Sequence, residues 1–218
     1  MQLAIFDLDH TLLPFDSDKA WNQFLADQGF VDRDDYEQRN AQFYQDYLEA
    51  RLDIHAYQAF ASEVLQTFPV ELVTTWRDRY IKEIVVPELQ TKALDLIQEY
   101  KEKGFQTLII SATNTFIVEP IAALHDVDAF LGCEFEVIDG VYTGRLVGIP
   151  TYREGKIQAL DAWLDSQRAK ATTVHFYSDS INDAPLLEYA DHAFVVDPDH
   201  SLAALAKERG WPVIQFSD

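Results

Sequence analysis

Apolar positions along the chain follow two rhythms. Short, non-alternating runs recur at Leu3–Phe6, Thr107–Ile110, Thr173–Tyr177, His192–Val196 and Pro212–Phe216. Strands buried on both faces read this way, and they belong to parallel sheets covered by helices. Between the runs the apolar spacing turns helical. Pro87–Lys103 carries Leu89, Ala93, Leu96, Ile97 and Tyr100 on one face and is stopped by Gly104. Further helices are predicted over Asn114–Leu124, Gly155–Gln167, Asn182–Tyr189 and Ser201–Arg209. Strand and helix in alternation predict an α/β, doubly wound parallel sheet.

Two segments break the alternation. Residues 133–147 hold two alternating stretches around Asp139-Gly140, which predicts an antiparallel β-hairpin. Residues 15–82 contain no strand-like run, yet hold 13 of the 28 aromatic residues. Many sit at helical spacing: Trp21, Phe24 and Leu25; Tyr36, Asn40, Phe43, Tyr44 and Tyr47; Ile54, Tyr57 and Phe60. Breaks fall near Gly29–Asp32, at Leu52-Asp53 and at Phe68-Pro69, so an inserted helical bundle with the aromatic stripes as its core is expected.

Composition narrows the partners. A chain of 218 residues suits one domain, or one domain with a smaller insertion. Its net charge of −20 repels nucleic-acid backbones and anionic membrane surfaces. The single cysteine, Cys133, has no internal disulfide partner and reads as a small buried apolar residue. No basic segment precedes the first apolar run, so neither a signal peptide nor a membrane span is expected, and a cytoplasmic location is the simplest reading. The six histidines form no ligand set, which argues against zinc.

Candidate chemistry gathers at strand ends. Asp7 and Asp9 follow the first predicted strand, Ser111, Thr113 and Asn114 the second, and Asp179 and Asp183 the third. In an open α/β sheet ligands bind at that edge. Carboxylates brought together there repel one another unless a cation holds them, and all-oxygen ligands suit Mg²⁺. Ser111, Thr113, the helix start at Asn114 and Lys156 offer donors and positive charge to a phosphate. One carboxylate can then attack phosphorus, while a second, two residues on, protonates the leaving oxygen and activates water.

Asp7-Leu8-Asp9-His10-Thr11 resembles the D-x-D-x-T motif of the haloacid dehalogenase-like phosphatases. Ser111, Lys156 and Asp179-Ser180-Ile181-Asn182-Asp183 resemble their second, third and fourth motifs, in order, so the likeness spans the chain. It implies a Rossmann-like core over 1–14 and 83–218 with a helical cap at 15–82, as in the phosphoserine-phosphatase-like branch. By resemblance Asp7 is the nucleophile and Asp9 the general acid/base. Asp7, Asp179 and the Asp9 backbone carbonyl bind Mg²⁺. Ser111, with Ala112 beside it, Lys156 and Asn182 bind phosphate. Asp183 orients a metal-bound water or Lys156, and Thr11 supports the loop.

The cap is expected to choose the substrate. Relatives in this branch hold a substrate amine with an acid at the position of Asp16, and Asp18 stands nearby. Asp16 is equally suited to capping a helix. The arginine with which those relatives grip a substrate carboxylate is replaced here by Ala59, with Arg51 a poor substitute. A phosphorylated amino alcohol lacking a carboxylate, such as histidinol phosphate, is therefore preferred over phosphoserine. Phosphoryl transfer to an alcohol is a further alternative. A dehalogenase would not need Asp9 and Asp179, and a silent binding module would not need the intact acids. The expected partner is a small phosphate ester, with the chain a monomer or homodimer.

Overall fold

Gln2–Phe6 forms the first strand, β1, and becomes the centre of a seven-stranded sheet. A computed structural model describes residues 1–49 and 51–216. The remaining strands are β2 (Gln106–Asn114), β3 (Ala129–Ile138), β4 (Val141–Val147), β5 (Thr173–Ser178), β6 (His192–Val196) and β7 (Val213–Ile214). They lie in the order β4-β3-β2-β1-β5-β6-β7, every pair parallel except β3 with β4. The chain leaves β1 for β2 on one side and later returns to β5 on the other. The C-terminal ends of β1, β2 and β5 thus flank the topological switch point, where a crevice must open.

Helices α5 (Thr91–Glu102), α6 (Thr115–Leu124), α7 (Glu154–Ser166), α8 (Ala184–Tyr189) and α9 (His200–Arg209) cover the sheet. Their apolar faces close two buried clusters, one on each side. Phe6, Ile109 and Tyr177 belong to the first, Ile5, Leu108 and Phe176 to the second. Cys133 is buried, as expected.

Several boundaries differ from expectation. The helix expected from Pro87 begins at Thr91: Val86–Glu88 makes a tight turn, and Leu89 leaves it extended, its side chain packed on the first cluster. The helix expected from Asn182 begins as one tight turn, Ile181–Asp183, before α8. β7 is shorter than Pro212–Phe216. The hairpin is real, but β3 starts earlier, at Ala129, where it pairs in parallel with β2 before turning antiparallel to β4. One strand serves both pairings, which local alternation cannot show.

The helical segment comprises α1 (Ser17–Asp27), α2 (Arg33–Leu48), α3 (Ile54–Ala61) and α4 (Val70–Tyr80), with the breaks where the sequence placed them. The helices split into two pairs. Trp21, Phe24 and Leu25 of α1 and Val73 and Tyr80 of α4 join the core beneath the sheet. Arg77 of α4 also donates to the Phe116 carbonyl, four residues before Pro120, which α6 tolerates inside itself. That carbonyl is the one a helical proline leaves without its usual partner. α2 buries only Tyr36. Tyr36 and Phe43 each lie 5.2 Å from the Phe60 ring of α3, so α2 and α3 hold each other as a pair.

Candidate active site

Asp7 directly follows β1, and its amide still donates to the Tyr177 carbonyl of β5 at 2.9 Å. Its carboxylate therefore stands at the sheet edge. Lys156 Nζ reaches Asp7 Oδ1 at 2.8 Å and Asp183 Oδ2 at 2.7 Å, and the Ser178 hydroxyl donates to the same Asp183 oxygen at 2.7 Å. All three charged groups are buried. Burial works against the Lys156 ammonium, but Asp183 and Asp7 outweigh it and hold it charged. Burial pushes the Asp183 carboxyl up to about 6 although Lys156 pulls it down.

The position of Lys156 depends on a tight loop. Gly155 has no space for a side chain: a Cβ there would lie 2.0 Å from the Pro150 carbonyl oxygen. Thr151 fastens the same loop by donating from Oγ1 to the Ser111 carbonyl at 2.5 Å.

Ser111, Thr113 and Asn114 do not follow β2, as the sequence suggested, but end it. The β2–β3 register shifts between Ile110 and Asn114, an irregularity that re-aims side chains beside a site. Thr113, expected as a phosphate donor, instead donates to Asp9 Oδ2 at 2.6 Å. Asp9 Oδ1 accepts from the Ser17 amide at 2.8 Å. Burial, then the Asp16 charge, raises the Asp9 carboxyl, while Ser17 and Thr113 oppose the shift. Ser111 Oγ accepts from the Thr113 amide at 3.1 Å, which leaves its hydroxyl hydrogen for another acceptor.

Across the crevice Thr11 donates to Asp179 Oδ1 at 3.1 Å. Burial, then the charges of Asp7 and Asp183, raise the Asp179 carboxyl well above the usual range. Like-charged, buried carboxylates and neutral oxygens make a donor set that fits a hard dication. Among the described residues no three His, Cys, Asp or Glu side chains cage a metal alone. Mg²⁺ does not require that, because it keeps several waters and uses one or two carboxylates.

The crevice continues into a cavity of about 300 Å³ roofed by α2 and α3. Phe43, Tyr44, Tyr47, Ile54 and Tyr57 line it. Part of the aromatic pattern expected as bundle core is therefore pocket wall, because α2 and α3 turn that face toward the sheet edge. Three hydrogen bonds join roof to floor. Tyr47 OH meets Ser180 Oγ at 2.6 Å, Asn182 Nδ2 donates to the Tyr47 carbonyl at 3.2 Å, and Gln58 Nε2 donates to the Ala112 carbonyl at 2.8 Å. Asn182 Oδ1 also accepts from Tyr152 at 2.9 Å.

Asp16 and Asp18 both border this cavity. Asp16 caps α1 by accepting from the Lys19 amide at 2.8 Å. Asp18 is buried against Asn114, whose Nδ2 donates to its Oδ1 at 2.9 Å. Arg51 does not line the cavity; it pairs with Asp46 and Glu49 at 2.9 Å each. Sequence reasoning missed Ser17, Ser178, Thr151, Tyr47 and Gln58. Their signal was weak, since single hydroxyls and amides recur along every chain.

The arrangement has relatives. Residues 4–188 match the profile described as haloacid dehalogenase-like hydrolase. The chain belongs to this family. It is 39% identical over 218 residues to a histidinol-phosphatase of Neisseria meningitidis serogroup C (strain 8013), covering 98% of each. It is 28% identical to a phosphoserine phosphatase of Mycobacterium tuberculosis (strain ATCC 25618 / H37Rv), covering 98% of this chain and 70% of that protein. A solved protein of unknown function from Bordetella pertussis Tohama I superposes with a TM-score of 0.93 at 34% identity, covering 99% of both chains. A substrate-bound phosphoserine phosphatase shares the fold, with a TM-score of 0.71 at 19% identity over 98% of this chain and 92% of that one. As a hydrolase of the haloacid dehalogenase-like family with phosphatase relatives along its whole length, the chain is a phosphatase. No helix among the described residues is long and apolar enough to cross a membrane.

Proposed function

We propose that this phosphatase hydrolyses a small, cationic amino-alcohol phosphate, such as histidinol phosphate, through a phosphoryl group carried on Asp7, with Mg²⁺ as cofactor. Asp7, Asp179 and the backbone carbonyl of Asp9 would hold the ion. When bound, it supplies positive charge that offsets the repulsion between Asp7 and the phosphate oxygens. Asp7 attacks phosphorus, and the bond from phosphorus to the alcohol oxygen breaks. Asp9, whose hold on a proton is strengthened by burial and by the charge of Asp16, gives its proton to that oxygen. Asp9 then takes a proton from the water that attacks the phosphoaspartate. Inorganic phosphate leaves and Asp7 is restored.

Ser111, the Ala112 backbone and Lys156 receive the phosphate oxygens, and Asn182 joins them when Tyr47 releases its amide. Asp183 acts on Lys156 rather than on substrate, since its Oδ2 is held by Lys156 and Ser178. Thr11 steadies Asp179. Residues 15–82 act as a cap over a core of 1–14 and 83–218. Closure through the Tyr47 hydroxyl on Ser180 and through Gln58 excludes water while Asp7 carries phosphate.

The cavity wall carries the substrate reading. It holds eight aspartates and one lysine, and no arginine among the described residues. That lysine is already engaged at Asp7 and Asp183, so no guanidinium or ammonium remains for a substrate carboxylate. A cationic alcohol suits this wall, and the histidinol-phosphatase relative supports the choice. Steady-state assays with Mg²⁺ test it. We expect kcat/KM for histidinol phosphate to exceed that for phosphoserine by about 100-fold or more. A preference for phosphoserine would overturn the substrate, and turnover of neither ester would overturn the reading.

A further inference from the structure

Asp18 meets none of the needs of the reaction as described, yet its placement is costly. It is 1% exposed and borders the cavity. Oδ1 accepts from Asn114, whose own Oδ1 is fixed by capping α6 through the Ile117 amide at 3.2 Å. Oδ2 is buried and accepts no hydrogen bond of normal geometry. The Tyr57 hydroxyl lies close enough to favour the ionised carboxylate without closing such a bond on it. Burial first, then the charges of Asp16 and Asp9, push the Asp18 carboxyl up to about 8. A buried acid with an unmatched oxygen destabilises a fold and demands an explanation. Asp16 differs: its Oδ1 is engaged with the Lys19 amide, and Asp16 itself is only partly buried.

We propose that Asp18, rather than Asp16, receives the cationic group of the substrate's alcohol portion, an ammonium or imidazolium, on its unmatched Oδ2. This assignment rests on the reading of the chain as a phosphatase of cationic alcohol esters. Phe43, Ile54 and Tyr57 on the cavity wall flank the carbon skeleton that carries the cation, and the Phe43 and Tyr57 rings tolerate positive charge. Asn114 sets the carboxylate's orientation before substrate arrives. An uncharged alcohol leaves Oδ2 buried and unpaired, so the site rejects such esters through the desolvation it cannot repay. Asp16, as the α1 cap, contributes long-range charge only.

The test compares histidinol phosphate with p-nitrophenyl phosphate, an ester whose alcohol carries no cation. Both are assayed on wild type, Asp18→Asn and Asp16→Asn with Mg²⁺ near neutral pH. In Asp18→Asn the kcat/KM ratio of cationic to uncharged ester falls by about 30-fold or more, chiefly through KM for histidinol phosphate. In Asp16→Asn it falls by about threefold or less, because asparagine caps helices as well as aspartate does. Asp18→Asn also melts above wild type, since an uncompensated buried acid is gone. Asp18→Ser, a smaller side chain, moves the ratio in the same direction should the asparagine amide fit poorly. An unchanged ratio in Asp18→Asn, or a larger fall in Asp16→Asn, overturns the assignment. So does a lowered melting point with an unchanged ratio, which makes Asp18 a structural partner of Asn114 alone. Wild type gives the prior readings separately. If it hydrolyses neither ester the phosphatase mechanism fails, and if it hydrolyses both equally the cationic substrate fails; either result removes this proposal too.

Discussion

The two ends of the cavity are built on opposite terms. At the sheet edge every carboxylate has a partner, and among the described residues none of their oxygens is both buried and unpaired. Asp7 and Asp183 share Lys156, Asp9 is held by Ser17 and Thr113, and Asp179 by Thr11. Toward α2 and α3 the wall is aromatic, and the Asp18 carboxylate keeps one buried oxygen without a partner. The supports differ as well. Asp7 and Asp179 directly follow β1 and β5, and Thr113 lies near the end of β2, strands fixed by parallel ladders through the core. The roof is a helix pair whose first helix, α2, buries one residue, and three hydrogen bonds hold it down. Groups that must keep one geometry through the reaction sit on the rigid part. The part that meets varied substrate atoms is left unsatisfied and lightly held.

Lys156→Met removes the cation between two buried carboxylates. Leaving such charges unpaired costs about 3–5 kcal/mol, so urea denaturation of the variant shows a loss of that size. A loss under about 1 kcal/mol would mean that Asp7 and Asp183 are relieved by water, and that the sheet edge is not the preorganised end.

A smaller effect sharpens the unmatched end. The Asp18 carboxyl is raised from 3.8 to about 8. Its folded value lies above its unfolded one, so the native state binds the proton more tightly. Whatever stability Asp18 contributes is present at low pH and drains away as pH rises from about 4 toward 8. Facing it are the charges of Asp16 and Asp9 and the neutral Tyr57 and Asn114 side chains. Asp9 itself titrates high, so the informative quantity is a difference. The stability of Asp18→Asn minus that of wild type should grow between pH 5 and pH 8, read by denaturation at each pH. A flat difference would show that Asp18 finds a partner for Oδ2 in solution.

Much of the matched end was legible in the sequence. Asp7, Asp9, Asp179 and Asp183 were found because each stands where an apolar strand stops, and the parallel topology fixes which strand ends meet. The helical segment and its breaks were legible from spacing, caps and prolines. The supports were not. Thr113 and Ser17 reach Asp9 from 104 and 8 residues away through one hydroxyl and one amide, contacts that exist only once β2 and α1 are placed. Thr113 was thus expected on phosphate and found on a carboxylate. Arg51 failed as a carboxylate partner because Asp46 and Glu49, on its own side of the chain, reach it first. Asp16 and Asp18 looked interchangeable in sequence. Burial separates them, and burial of single residues is a product of the whole packing.

Transfer of the phosphoryl group to Asp7 is tested most directly by trapping it. Wild type mixed with histidinol phosphate and Mg²⁺, acid-quenched during turnover and digested, should yield the peptide containing Asp7 heavier by one phosphoryl group, with none on the same peptide from Asp7→Asn. Rapid turnover with that peptide unmodified, or turnover retained in Asp7→Asn, would contradict the account.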